Sequence, residues 1–383
     1  MVKEIEIHRG LDGIYIDTSD ICYIDGEKGE LIYRGYDIGE LAAKATFEEV
    51  AYLLWNDDLP NEAKLKAFHD RLRPHFAVDD EVLNMLKALP KDIHPMHALR
   101  TAVSMLAASD DNADDVDLEN VEDIAFRLLA KFPTITAAFG RIRQGLEPIV
   151  PDPDLSIPAN FLYMHNGERP SEAATHVMDV ALVLHAEHGS NASTFTARAT
   201  ASSLTDVYSA ITAAMGSLKG PLHGGANTAV MEALESIGSI EAVEPYVMNK
   251  LSQPGGRVMG FGHRVYRVLD PRAIVLRQVS EALAEESGES KWFDMSLEME
   301  RIMDREMTER GKQVKPNVDF FSASVYRMLG FPGDMYTPIF AVARISGWMA
   351  HLLEQYQDNR LMRPRLAYDG PRGRSYKPIE ERA

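Results

Sequence analysis

Residues 196–227 read TARATASSLTDVYSAITAAMGSLKGPLHGGAN. Positions 196–218 are crowded with Ala, Ser, Thr and Gly. Small side chains let helix backbones approach closely, so this stretch reads as a buried central helix, a subunit-interface helix, or both. The octapeptide GPLHGGAN at 220–227 then leads into TAVMEALESIG, an ordinary amphipathic helix. A helix entrance does not need three glycines, which cost chain entropy. His223 sits among them, just ahead of the helix N-terminus. Unpaired N–H groups and the helix dipole disfavour an imidazolium there. A histidine so placed should be a neutral hydrogen-bond donor, with glycines admitting a bulky ligand. A tight turn around a packed histidine is the other reading.

Working outward, the chain is helical nearly throughout. Thr46 and Glu49 have capping-box spacing ahead of VAYLLW. Asn61 can cap EAKLKAFHDRL, with Pro74 ending it, and Pro95 can open MHALRTAVSML. Further helices are expected over 121–144 and 171–187. Ile345, Trp348, Met349, Leu352, Leu353 and Tyr356 form a stripe at helical spacing within 338–356. The exception lies near the start, where ICYID and LIYRG flank GEKGE as a small hairpin. The expected fold class is all-α with that N-terminal β-hairpin. Glycine and proline clusters at 216–225 and 330–333 bracket a block of helices. Such clusters suit hinges, so the expected domains are 1–224 with 331–383, and an inserted 225–330.

At 383 residues the chain suits two domains. Its net charge of −18 argues against nucleic acid or an anionic membrane as partner. SDDNADDVDLEN at 109–120 reads as a solvated acidic loop. No apolar run reaches transmembrane length, and MVKEIEIHRG lacks a signal-peptide core. The single Cys22 fits a reducing compartment, so a cytoplasmic protein is expected. On that ground the NAS acceptor sequence at 191–193 is set aside. Arginine is concentrated locally: RVMGFGHRVYRVLDPR at 257–272 holds four, with one acid. Such a cluster can take a small anion.

Four stretches could carry chemistry. GPLHGGAN presents His223. GFGHRVYRVLDPR at 260–272 presents His263 beside Arg264, Arg267 and Arg272; it lacks the glycine pattern of a nucleotide loop. Its other reading is a solvated basic loop. In NVDFFSAS at 317–324, Asp319 lies among apolar residues, where desolvation would raise its basicity. Alternatively, Asn317 or Asp319 merely caps FFSASVYRML. HAEHGSNAS at 185–193 places His185 and His188 three apart, a possible metal pair without an acidic ligand set. HPMH at 94–97 opens a helix and reads as structural.

In this order and spacing, the four stretches resemble the citrate synthase family. The resemblance runs from YRGYDI at 33–38 to RPRLAY at 363–368. It implies a helical fold with a large and a small domain around a cleft. It also implies condensation of acetyl-CoA with oxaloacetate and hydrolysis to citrate and CoA. By motif position, His223 resembles the donor to the thioester oxygen, Asp319 the base, and His263 the group polarising the ketone. His188, Arg272 and Arg344 resemble ligands of oxaloacetate and citrate. Arg363 resembles an arginine that enters the neighbouring subunit's site. Arg267, Arg257 and Arg264 resemble groups meeting CoA phosphates. The resemblance implies no cofactor and no metal. The start at EIHRGLDGI resembles the short form of the family, which implies a homodimer without NADH control. Three rivals remain: a 2-methylcitrate synthase using propionyl-CoA, a histidine-metal hydrolase using His185 and His188, and a non-catalytic scaffold.

Overall fold

A computed structural model describes residues 6–11 and 13–382. Its helices begin where local chemistry starts them. Thr46 and Glu49 satisfy each other's backbone N–H ahead of Phe47–Asn56. Asn61 accepts from the Lys64 N–H at the start of Glu62–Leu72. That helix stops before a short 3-10 turn holding Pro74. Pro95 opens Pro95–Leu106, with His94 capping it through the Met96 N–H. The helix expected over 121–144 starts earlier, at Leu118, and ends at Arg143. Strands Cys22–Asp25 and Glu30–Tyr33 pair antiparallel as a hairpin. The two-residue strand Tyr36–Asp37 extends it to a three-stranded sheet.

The small-residue stretch 196–218 is two helices rather than one, Ala192–Ala201 and Val207–Leu218. Leu204 adopts a left-handed conformation between them. Asp206 then caps the second through the Ser209 N–H. Small residues allow the two to pack on each other. The acidic stretch 109–120 is largely exposed, but Asp110 is pinned between Arg127, at 2.6 Å, and the Tyr208 hydroxyl, at 2.8 Å.

The core centres on Tyr336–Gln357, buried without interruption from Tyr336 to Leu352. A helix buried all round lies inside a bundle rather than on its surface. It packs against Leu118–Arg143, Phe47–Asn56, Glu172–His185, Ala192–Ala201 and Val207–Leu218. The predicted apolar stripe is therefore one face only. Arg344, Gly347 and His351 are buried too. Helices Ala226–Ile237, Val243–Ser252, Pro271–Ser287, Lys291–Glu309 and Val318–Met328 pack mainly on one another. Pro271–Ser287 also meets Glu172–His185 and Ile38–Lys44. No helix among the described residues is long and apolar enough to cross a membrane.

Gly347 lies where the central helix touches the chain leaving Glu172–His185. A Cβ there would run into Glu187 Oε2 and the Ala186 carbonyl. Overpacking a rigid backbone contact typically costs ~1–3 kcal/mol. Gly347→Ala should lower stability by that amount in equilibrium urea unfolding. An unchanged midpoint would show that this contact does not hold the loop in place.

Candidate active site

The helix Glu172–His185 ends as the chain turns toward the site. His185 stays inside, its Nδ1–H donating to the Ala181 carbonyl at 2.7 Å. His188 lies beyond the helix end, with Nε2 3.2 Å from the Tyr266 hydroxyl. The two histidines thus have different hydrogen-bond partners, one inside its own helix and one on Tyr266. No cluster of three or more metal-ligating side chains occurs among the described residues. Asn191 then caps Ala192–Ala201 and places Ser193 in its first turn.

Ser193 faces His223. Its backbone N–H donates to His223 Nε2 at 3.3 Å, and its Oγ lies 2.8 Å from the same nitrogen. Trp348 donates its indole N–H to Ser193 Oγ at 3.1 Å. A backbone amide can only donate, so Nε2 is the acceptor and Nδ1 carries the proton. Burial lowers His223 to about 4, with the Arg344 charge adding to the effect. The ring is thus a neutral Nδ1–H donor, and the following helix starts at Ala226. Packing explains the central glycine: a Cβ on Gly224 would lie 2.6 Å from the Leu218 carbonyl oxygen. None of the glycines at 220, 224 or 225 has a positive φ.

His263 has the opposite tautomer. Its Nδ1 accepts from the N–H groups of Val265, at 3.0 Å, and Tyr266, at 3.1 Å. Nε2 therefore carries the proton. Burial, with the Arg272 charge, lowers His263 to about 4. Its ring meets that of His188 edge-on, with centroids 5.4 Å apart. Burial, with Arg272 and then His263, holds His188 well below the usual histidine range.

Asn317 caps Val318–Met328 by accepting from the Asp319 N–H at 3.0 Å. Capping thus falls to Asn317 and leaves the Asp319 carboxylate free. Its Oδ1 is buried without a hydrogen-bond partner. Burial raises Asp319 to about 7, although Arg272 opposes the shift. Arg272 is held by Asp270 through Nε, at 3.0 Å, and Nη2, at 2.9 Å. Asp270 also accepts from the Val318 N–H at 3.2 Å, tying this pair to the Asp319 helix. Arg344 is 1% exposed and donates from Nε to the His185 carbonyl at 2.8 Å.

His188, His223, His263, Arg272, Arg344 and Asp319 thus form one set, coupled through these charges and contacts. Arg257, Arg264 and Arg267 are exposed on the chain around His263. Arg363 has no contact with this set and is exposed in the irregular C-terminal segment. Its neighbour Met362 bonds Ser202, at the opposite end of Ala192–Ala201 from Ser193. The sequence reading missed Ser193, Trp348, Tyr266 and Asp270. Asp270 had left a signal as the lone acid among four arginines. Ser193 lay in the glycosylation-like NAS, whose other use is visible only in three dimensions.

The model of the citrate synthase C-terminal domain family matches residues 10–365. Citrate synthase 2 of Bacillus subtilis is 50% identical over 98% of this chain and 99% of its own. 2-Methylcitrate synthase 2 of Corynebacterium glutamicum is 40% identical over 98% of both chains. Among solved structures, one is a ternary complex of carboxymethyl coenzyme A and oxaloacetate with citrate synthase from the archaeon Thermoplasma acidophilum. It superposes with a TM-score of 0.92 at 34% identity, covering 98% of this chain and 100% of that one. With family likeness across almost the whole sequence and the whole fold, this chain belongs to the citrate synthase family.

Proposed function

We propose that this acyltransferase of the citrate synthase family condenses acetyl-CoA with oxaloacetate and hydrolyses citryl-CoA to citrate and CoA. The observation that carries the reading is the pairing of opposite roles in one set. A buried, unpartnered carboxylate stands with two neutral imidazoles whose donor nitrogens are fixed.

Asp319 takes a methyl proton from the acetyl thioester. The forming enolate oxygen accepts from His223 Nδ1–H. A preorganised donor at such an oxygen is worth ~10²–10³ in rate, and a positioned base ~10²–10⁴. The enolate carbon attacks the oxaloacetate ketone, polarised by a hydrogen bond from His263 Nε2–H, and the proton that Asp319 removed balances the one the new alkoxide takes up. Water then cleaves the citryl thioester, releasing CoA. His188, Arg272 and Arg344 hold the two carboxylates, and guanidinium forks suit this task. Arg257, Arg264 and Arg267 meet the CoA phosphates. Protein groups and water suffice for these steps, so no cofactor or metal enters the reading. The 225–330 helices close over 1–224 and 331–383, excluding water until condensation is complete. The working form is a homodimer in which Arg363 completes the neighbouring site, since it has no contact with the set in its own chain. The lone Cys22 favours the cytoplasm.

Propionyl-CoA is the second reading, favoured by the similarity to a 2-methylcitrate synthase. One methylene changes discrimination by only ~1–3 kcal/mol. Thiol release from acetyl-CoA and propionyl-CoA, each with oxaloacetate, decides between them. A higher kcat/KM with acetyl-CoA is expected, and a clear propionyl-CoA preference would reverse the assignment.

Asp319→Asn should lower turnover by ~10²–10⁴ while leaving oxaloacetate binding intact. The carboxyl must lose its proton to act as base, and it titrates at about 7 in the free protein. The kcat/KM for acetyl-CoA should therefore fall as pH drops through about 7. A profile flat down to pH ~5 would remove Asp319 from the role of base. Mixing Arg363→Ala with Asp319→Asn should restore part of the activity in mixed dimers. No recovery after subunit exchange would place each site within a single chain.

A further inference from the structure

Tyr266 meets three groups of the oxaloacetate site and has no role so far. Its hydroxyl lies 3.2 Å from His188 Nε2. Its backbone N–H donates to His263 Nδ1 at 3.1 Å. Its ring lies against that of His263, with centroids 4.8 Å apart, and the Arg272 guanidinium lies 5.9 Å from its centroid. The side chain is only 3% exposed.

A buried phenol needs an acceptor for its proton. Burial raises the Tyr266 pKa, so the group stays O–H and remains a donor. His188 is neutral, so one ring nitrogen is protonated and the other bare. Were Nε2 protonated, Tyr266 would receive that hydrogen and its own proton would lack this acceptor. Nδ1 would then turn a lone pair toward any arriving carboxylate. With the phenol donating to Nε2, both problems vanish.

We propose that Tyr266 is a positioning residue that sets the His188 tautomer, leaving Nδ1–H as a donor to an oxaloacetate carboxylate. The same residue holds His263 in the opposite tautomer through its backbone N–H. One side chain and its amide thus prepare two imidazoles for two tasks, carboxylate binding and ketone polarisation. This inference rests on the reading of His188 as an oxaloacetate ligand.

Tyr266→Phe keeps the ring and the backbone N–H and removes only the hydroxyl. The KM for oxaloacetate should rise roughly five- to tenfold, the worth of one lost hydrogen bond. The KM for acetyl-CoA should stay unchanged, and the melting temperature should fall by only a few degrees. Long-range ¹H–¹⁵N spectra provide a second readout, with His188 signals identified by their loss in His188→Asn. In the unaltered protein they should show Nδ1 protonated, and in Tyr266→Phe a mixture of tautomers. A protonated Nε2 in the unaltered protein would overturn the proposal, even if the variant does not fold. An unchanged oxaloacetate KM in a folded variant would overturn it as well. Absence of CoA release by the unaltered protein would instead strike the proposed reaction, and the spectra would still decide the tautomer.

Discussion

Two guanidinium groups buried at the heart of a helical bundle govern the rest of the site. Arg272 and Arg344 are 2% and 1% exposed. A buried charge is costly unless paired or hydrogen-bonded. Arg272 is met by both oxygens of Asp270. Arg344 has the His185 carbonyl and the face of Phe340, 4.7 Å from its guanidinium carbon. These positive charges reinforce desolvation in keeping His188, His223 and His263 neutral. They also restrain the rise of the Asp319 pKa. Burial first, and the field of these two guanidinium groups with it, therefore set the proton inventory of the site.

Close backbone packing brings those charges together. Gly347 lets the loop carrying Glu187 and His188 lie on the central helix. Gly224 lets the His223 turn fold onto Leu218. The chain before His263 is tied to the start of the Asp319 helix by Asn317, whose side chain donates to the Gly262 carbonyl at 2.9 Å. Asp270 reaches the same helix start through Val318. Residues from distant parts of the sequence are thus held by backbone hydrogen bonds. Such restraints give imidazoles a fixed tautomer without extra side-chain order.

Much of the fold was legible because helix caps are local. Thr46 with Glu49, Asn61 and Pro95 act within one turn of where they stand. The break inside 196–218 was less legible: its small residues suit one buried helix or two. The cap at Asp206 and the left-handed Leu204 resolve it in favour of two. At Asp319 the sequence left base and cap open, since Asn317 and Asp319 are both good caps. Only side-chain placement separates them, with Asn317 bonded to the Asp319 N–H and Asp319 Oδ1 left bare.

By itself the sequence determined the helical class and the helix starts at Thr46, Asn61 and Pro95, because caps act through residue type and short spacing; it offered the candidate reacting groups through family resemblance. Tertiary structure decided their protonation and orientation. The Nε2 of His223 is an acceptor because Ser193, thirty residues earlier, presents a backbone N–H to it. His188 meets Tyr266 across seventy-eight residues. The apolar neighbours of Asp319 hinted at its desolvation, but the burial that raises it to about 7 comes from the packed helices. Tautomer and basicity follow from what surrounds a group in space. That surrounding exists only once the helices have packed.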